Sequence, residues 1–175
     1  MQEKQKLILC PGCGAGFPDI EGPNFRYPAA SIPGCWKVFG DIMAREFGEF
    51  RHPSVHRLSV DAYAAQHPGR EIRQTIQSVN VHLIALCLFI ERKYPAEKVT
   101  GLMRGAVHIF EDELFWLEPP DRRGKFTVLD VARAGTLQEH VELVQVWALS
   151  VWGAWSAHYS TIRSYCDRLE LRPQK

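Results

Sequence analysis

Cys10 and Cys13 stand two residues apart in Leu9-Cys10-Pro11-Gly12-Cys13-Gly14. Two thiolates at this spacing, with glycines that let backbone N–H groups approach the sulfurs, form half of a tetrahedral zinc knuckle. The sequence holds no second Cys-x-x-Cys to complete it. Cys35, in Ser31-Ile32-Pro33-Gly34-Cys35-Trp36, is the natural third ligand, because it sits in a Pro-Gly turn at a predicted helix start, where the helix dipole favours thiolate. The fourth ligand must then be a histidine or a carboxylate. His52, His56 and His67 lie in or beside the next predicted helix, and we order them His56, His52, His67. The expected metal set is Cys10, Cys13, Cys35 and His56, with zinc as the cofactor.

Cys-Pro-Gly-Cys also has the two-residue spacer of a thiol redox pair. That chemistry wants a strand before the motif and a helix opening on it. Lys6-Leu7-Ile8-Leu9 would serve as the strand, but Gly12 to Pro18 is a poor helix. Iron–sulfur ligation needs a fourth thiol, and Cys87 and Cys166 both fall inside apolar helical faces.

A second set of residues has different chemistry. His82 lies in an apolar helical stretch, and His158 lies on the apolar stripe of the last helix, one turn after Trp155. A buried imidazole needs a hydrogen-bonding partner. Asp61, with Tyr63 and His67, offers one. Asp61, His67, His82 and His158 converging from separate helices would suit a general acid/base cluster or a metal-dependent hydrolase. Histidines that merely satisfy core carbonyls would look the same in sequence.

The elements that must position these groups are mostly helical. Residues 1–35 are rich in Gly and Pro and carry little periodicity, so they read as an irregular, metal-binding cap. Apolar spacing predicts helices over Trp36–Phe47, from Pro53 to Gln66, from Ile72 to Ile90, and from Ala96 to about Arg104. Phe115 to Val128 reads as a turn-rich excursion with a hairpin edge, and Arg122-Arg123 as a solvated turn. Thr127 with Asp130, and Thr136 with Glu139, have capping-box spacing. From Leu137 to Leu169 the apolar residues advance by three or four, with a kink expected near Gly153. Trp147, Trp152 and Trp155 are expected mainly in the core, with Trp152 available to a groove or dimer surface. The fold class is mostly α, a helical bundle with an irregular cysteine-containing N-terminal cap, in one domain over residues 1–175: cap 1–35, bundle 36–175.

The bulk numbers exclude several function classes. The chain has 175 residues, 46% of them hydrophobic and 23% charged, with a net charge of +1. That balance offers no field for nucleic acid or an anionic membrane. The longest apolar run, Leu83 to Ile90, is too short to span a bilayer, and the opening residues lack a signal-peptide core. A reducing cytoplasm is therefore expected, where five cysteines argue for metal or free thiols over a disulfide framework. There is no phosphate loop, dinucleotide fingerprint, nucleophile elbow or His-Glu-x-x-His. No feature selects a small-molecule substrate, and the reading leaves room for a homodimer.

The ordered set Cys10-Pro11-Gly12-Cys13-Gly14, Pro33-Gly34-Cys35-Trp36, His56 through Asp61 to Tyr63, Gln66-His67-Pro68-Gly69, Ser78 to Leu83, and Trp147 to Trp155 resembles a family of small bacterial proteins known only as a domain of unknown function. The resemblance rests on the Cys-Pro-x-Cys-Gly knuckle and the His-x-x-x-x-Asp-x-Tyr-x-x-Gln-His-Pro-Gly block, and it covers nearly the whole chain. It implies no mechanism, but it draws His56, Asp61, His67 and His82 together as a set. The expectation from sequence is a zinc-binding protein whose metal anchors the cap to the bundle, with hydrolase-like and thiol redox chemistries as alternatives.

Overall fold

The structure is a computed structural model that describes residues 6–22, 30–48, 53–110 and 113–171, without the side chains of residues 53, 54 and 107. Among these, the elements run β1 (Leu7–Leu9), β2 (Gly16–Pro18), α1 (Pro33–Phe47), α2 (Pro53–Gln66), α3 (Arg73–Ile90), α4 (Ala96–Met103), α5 (Ala106–Phe110), α6 (Val128–Ala132), α7 (Leu137–Ala154), a 3-10 turn (Ser156–His158) and α8 (Tyr159–Glu170). The molecule is a mostly helical bundle with a cysteine cluster in its N-terminal region. No helix among the described residues is long and apolar enough to cross a membrane.

The N-terminal segment is more regular than its composition suggests. β1 and β2 pair antiparallel, Leu7 opposite Pro18, Ile8 opposite Phe17 and Leu9 opposite Gly16. Alternation along the strands turns Phe17 fully inward and leaves Leu7 and Leu9 exposed. Burying the Phe17 ring contributes about 2 kcal/mol towards holding this short ladder against the helices.

α1 begins at Pro33, so Pro33-Gly34-Cys35 forms its first turn rather than the end of an irregular cap. Pro33 is suited to that position because its missing N–H would have no helical partner there. α2 packs against both α3 and α7, and α3 packs against α8. Leu83, Ile84, Leu86, Trp147, Trp155 and Ile162 are fully buried between them.

Both capping boxes form: the Thr127 N–H donates to Asp130 Oδ2 (2.8 Å), and the Glu139 N–H to Thr136 Oγ1 (3.2 Å). The expected hairpin edge does not: Val128 begins α6, and no described residue from 113 to 127 is in a strand. Asn80 ties that segment to α3 instead, its Nδ2 donating to the carbonyls of Ile76 and Phe115 (both 2.9 Å). The last helical stretch breaks at Trp155, two residues past the glycine where a kink was expected. There the Trp155 and His158 N–H groups switch to i−3 acceptors, and the Tyr159 hydroxyl donates to the Trp152 carbonyl (3.2 Å). Trp152 itself is buried, stacked on Tyr159, and so offers no surface.

Candidate metal centre

Residues 10–15 connect β1 to β2 as a tight knuckle. The Gly14 N–H donates to the Cys10 carbonyl (2.8 Å) and the Cys10 N–H to that of Ala15 (2.9 Å). Gly14 makes the reversal at φ +76°, which a side chain rarely adopts. The Ala15 N–H in turn points at the Cys13 sulfur. The open edge of the knuckle is held by Arg123, whose Nη1 donates to the carbonyls of Pro11 (2.7 Å) and Gly12 (2.8 Å). Arg123 is therefore an anchor and not the solvated turn residue its neighbourhood suggests. Its loop is fixed from below by Gln66, whose Nε2 donates to the Arg123 and Phe126 carbonyls while its Oε1 accepts from Trp147 Nε1 (3.0 Å).

Cys35 reaches the knuckle because α1 docks directly on β2. A Cβ on Gly34 would lie 2.8 Å from the Pro18 carbonyl oxygen and 2.9 Å from Phe17 Cβ, so only glycine allows this approach. His67 follows the last residue of α2, and Pro68 prevents the helix from continuing. Its Nδ1–H donates to the Tyr63 carbonyl (2.7 Å), which leaves Nε2 as the ring's lone-pair nitrogen in a neutral imidazole.

These three segments bring Cys10, Cys13, Cys35 and His67 together, with one ligand atom from each lying within 4.8 Å of all the others. Cys13 Sγ is 3.9 Å from Cys35 Sγ, and Cys35 Sγ is 3.4 Å from His67 Nε2. Ligands of a tetrahedral zinc, with Zn–S about 2.3 Å and Zn–N about 2.05 Å, stand roughly 3.8 Å apart for two sulfurs and roughly 3.5 Å for sulfur and nitrogen. The donor set and its spacing fit that ion. Cys10, Cys35 and His67 are buried, and Cys13 is half-buried.

The three thiols share their protons unevenly. Hydrogen bonds from Cys13 and Cys35 pull Cys10 far below the ordinary thiol range. The hydrogen bond with Cys10 pushes Cys13 up to about 12, and those with Cys10 and Cys13, together with burial, push Cys35 higher still. The cluster thus holds one negative charge readily and keeps further thiolates only beside a cation. Burial also pushes the Tyr63 phenol well above its usual range.

The fourth member of the cluster is His67, where the sequence order placed His56 first. His56 Nδ1 instead donates to Glu46 Oε2 (3.1 Å). Glu46 is buried near the end of α1 and also accepts from Ser59 Oγ (2.5 Å) and His140 Nε2 (2.8 Å), so the carboxylate joins α1, α2 and α7. His52 lies outside the described residues.

The second expected set separates. Asp61 and His82 do meet, His82 Nδ1 donating to Asp61 Oδ1 (2.7 Å), and Arg57 Nε donates to the other carboxylate oxygen (3.0 Å). His67 belongs to the cysteine cluster, however, and His158 Nε2 donates to the Glu118 carbonyl (2.9 Å). Among the described residues the four do not form one ligand group. Sequence reasoning did not single out Glu46, Ser59 or His140, whose spacing crosses three helices and leaves no local pattern. His67 did carry a signal: a histidine in Gln-His-Pro-Gly is fixed at a helix end and turned out of the helical stripe.

No curated protein and no solved structure matches the chain. A family match spans residues 8–156, taking in all four members of the cluster, and by it the chain belongs to the family described as a family of unknown function (DUF5946).

Proposed function

We propose that this is a zinc-binding protein in which one Zn²⁺, held by Cys10, Cys13, Cys35 and His67, fastens the N-terminal hairpin to the start of α1 and the end of α2. The convergence of three sulfurs and one imidazole nitrogen within 4.8 Å carries the reading. Hard divalent ions such as Mg²⁺ and Ca²⁺ prefer oxygen donors, whereas a Cys₃His set is a structural zinc set. Four protein donors fill the tetrahedron, while a hydrolytic zinc keeps a position open for water. That supports a structural role over the hydrolase alternative. The knuckle leads from one strand to another and not into a helix, which removes the support that a thioredoxin-type dithiol would need.

The surrounding contacts fit such a role. His67 donates its second ring nitrogen to a backbone carbonyl, which orients the ligand and raises its basicity. The N-terminal ladder is only three residues per strand, too short to hold itself in place. A metal that links it to two helices supplies what the ladder lacks. Removing zinc with a chelator should lower the thermal midpoint by several degrees and expose the hairpin to protease. An unchanged melting curve and protection pattern, with zinc shown to have left, would overturn the anchoring role.

A further inference from the structure

We infer that Tyr63 is a positioning residue for the metal cluster that sets two of its four ligands at once, an inference that rests on the metal-site reading above. Its backbone carbonyl receives the Nδ1–H of His67, and its ring stacks on the His67 imidazole with centroids 4.1 Å apart. Its hydroxyl lies 3.5 Å from Cys35 Sγ and 2.6 Å from Ser31 Oγ. The ring is fixed on its other side by Phe39, stacked at 3.9 Å, and by the edge of Trp36 at 5.8 Å. One residue, its ring clamped by aromatic neighbours, therefore reaches a ligand on α1 and another just past the end of α2.

The direction of the hydrogen bonds follows from the chemistry of the ligand. A metal-bound Cys35 is a thiolate and has no proton to give, so the phenol O–H is the donor between them. The phenol oxygen then accepts from the Ser31 hydroxyl. The chain Ser31 to Tyr63 to Cys35 ends on sulfur and draws electron density from it. Outer contacts of this kind commonly change metal affinity by 10-fold to 100-fold.

Tyr63→Phe in the full chain keeps the ring stacking and the carbonyl contact to His67 and removes only the hydroxyl. Cobalt(II) is the probe, because sulfur-to-cobalt charge-transfer absorption reports on the thiolates themselves. The variant should take up one equivalent of cobalt about 10-fold more weakly than the parent, measured by chelator competition. Its charge-transfer band should move to lower energy, a shift that loss of packing alone would not produce. Ser31→Ala should move both readouts in the same direction by less. Parental affinity and an unmoved band in Tyr63→Phe would overturn the positioning role while leaving the metal site standing. A parent protein that takes up no cobalt or zinc would overturn the metal reading and this inference with it. Should Tyr63→Phe fail to fold, Ser31→Ala decides: an unmoved band there overturns the relay.

Discussion

The Gly12 α-carbon lies so close to the His67 ring that a methyl group on it would stand 2.0 Å from Cδ2 and 2.7 Å from the Ala30 carbonyl oxygen. The turn of the knuckle and the imidazole ligand are thus packed against each other, and the glycine between the two cysteines is a spacer for the fourth ligand as well as a turn residue.

Gly12→Ala should therefore displace His67 and weaken zinc binding by at least 10-fold, since the ring is buried and cannot swing away freely. Gly14→Ala has open space around its Cβ and suffers only from its left-handed backbone, at about 1 kcal/mol. Zinc affinity and thermal midpoint of the two variants, measured side by side, check the contrast. Equal effects would contradict it.

The two histidines ranked differently by sequence and structure can be separated directly. His67→Gln should lose tightly bound zinc, whereas His56→Gln should retain one equivalent and lose about 1 kcal/mol of stability through its hydrogen bond to Glu46. Metal analysis of both variants after dialysis reads the result. Zinc loss in His56→Gln and retention in His67→Gln would reverse the assignment.

Zinc affinity should rise with pH. Without metal, hydrogen bonding to Cys10 keeps Cys13 protonated up to about 12, and Cys35 holds its proton higher still, while Cys10 is already a thiolate. Zinc entering at neutral pH must displace about two protons, so acidification competes with the metal and alkalinisation favours it. Calorimetry in buffers of different ionisation enthalpy counts the protons. An affinity that does not change between about pH 6 and pH 8 would contradict this ordering of the thiols.

The buried Glu46 carboxylate accepts from Ser59, His56 and His140, so Glu46→Gln must turn an amide NH₂ towards at least one of those donors. With Oε1 kept for Ser59 and His140, the NH₂ faces the half-buried His56, whose Nδ1–H then loses its acceptor, at about 1 kcal/mol. The urea midpoint should fall accordingly with zinc content unchanged, because none of these residues belongs to the metal cluster. A variant as stable as the parent would show that the carboxylate charge is dispensable to the packing of α1 on α2 and α7.

Local chemistry was the part of this molecule legible in its sequence. The Cys10/Cys13 spacing, Cys35 in a Pro-Gly turn and the two Thr-led capping boxes are short-range patterns with direct physical causes, and each finds its counterpart in the structure. Leu7–Leu9 falls within the one stretch that reads as a strand, whereas its partner Gly16–Pro18, opened by a glycine and closed by a proline, is too short for alternation to show. His67 stands third in the order the sequence suggests, yet its place beside Pro68-Gly69 turns it out of the helix towards the knuckle. The Glu46 contacts with His56 and His140, and the reach of Arg123 to the knuckle carbonyls across more than a hundred residues, depend on how helices and loops pack, which no local spacing records.

Zinc K-edge X-ray absorption on the purified, dialysed protein reads the ligand shell itself. One zinc per chain is expected, with three sulfurs at about 2.3 Å and one nitrogen at about 2.0–2.1 Å. A protein that holds no zinc, or one whose zinc has a shell of oxygen and nitrogen alone, would contradict the metal reading.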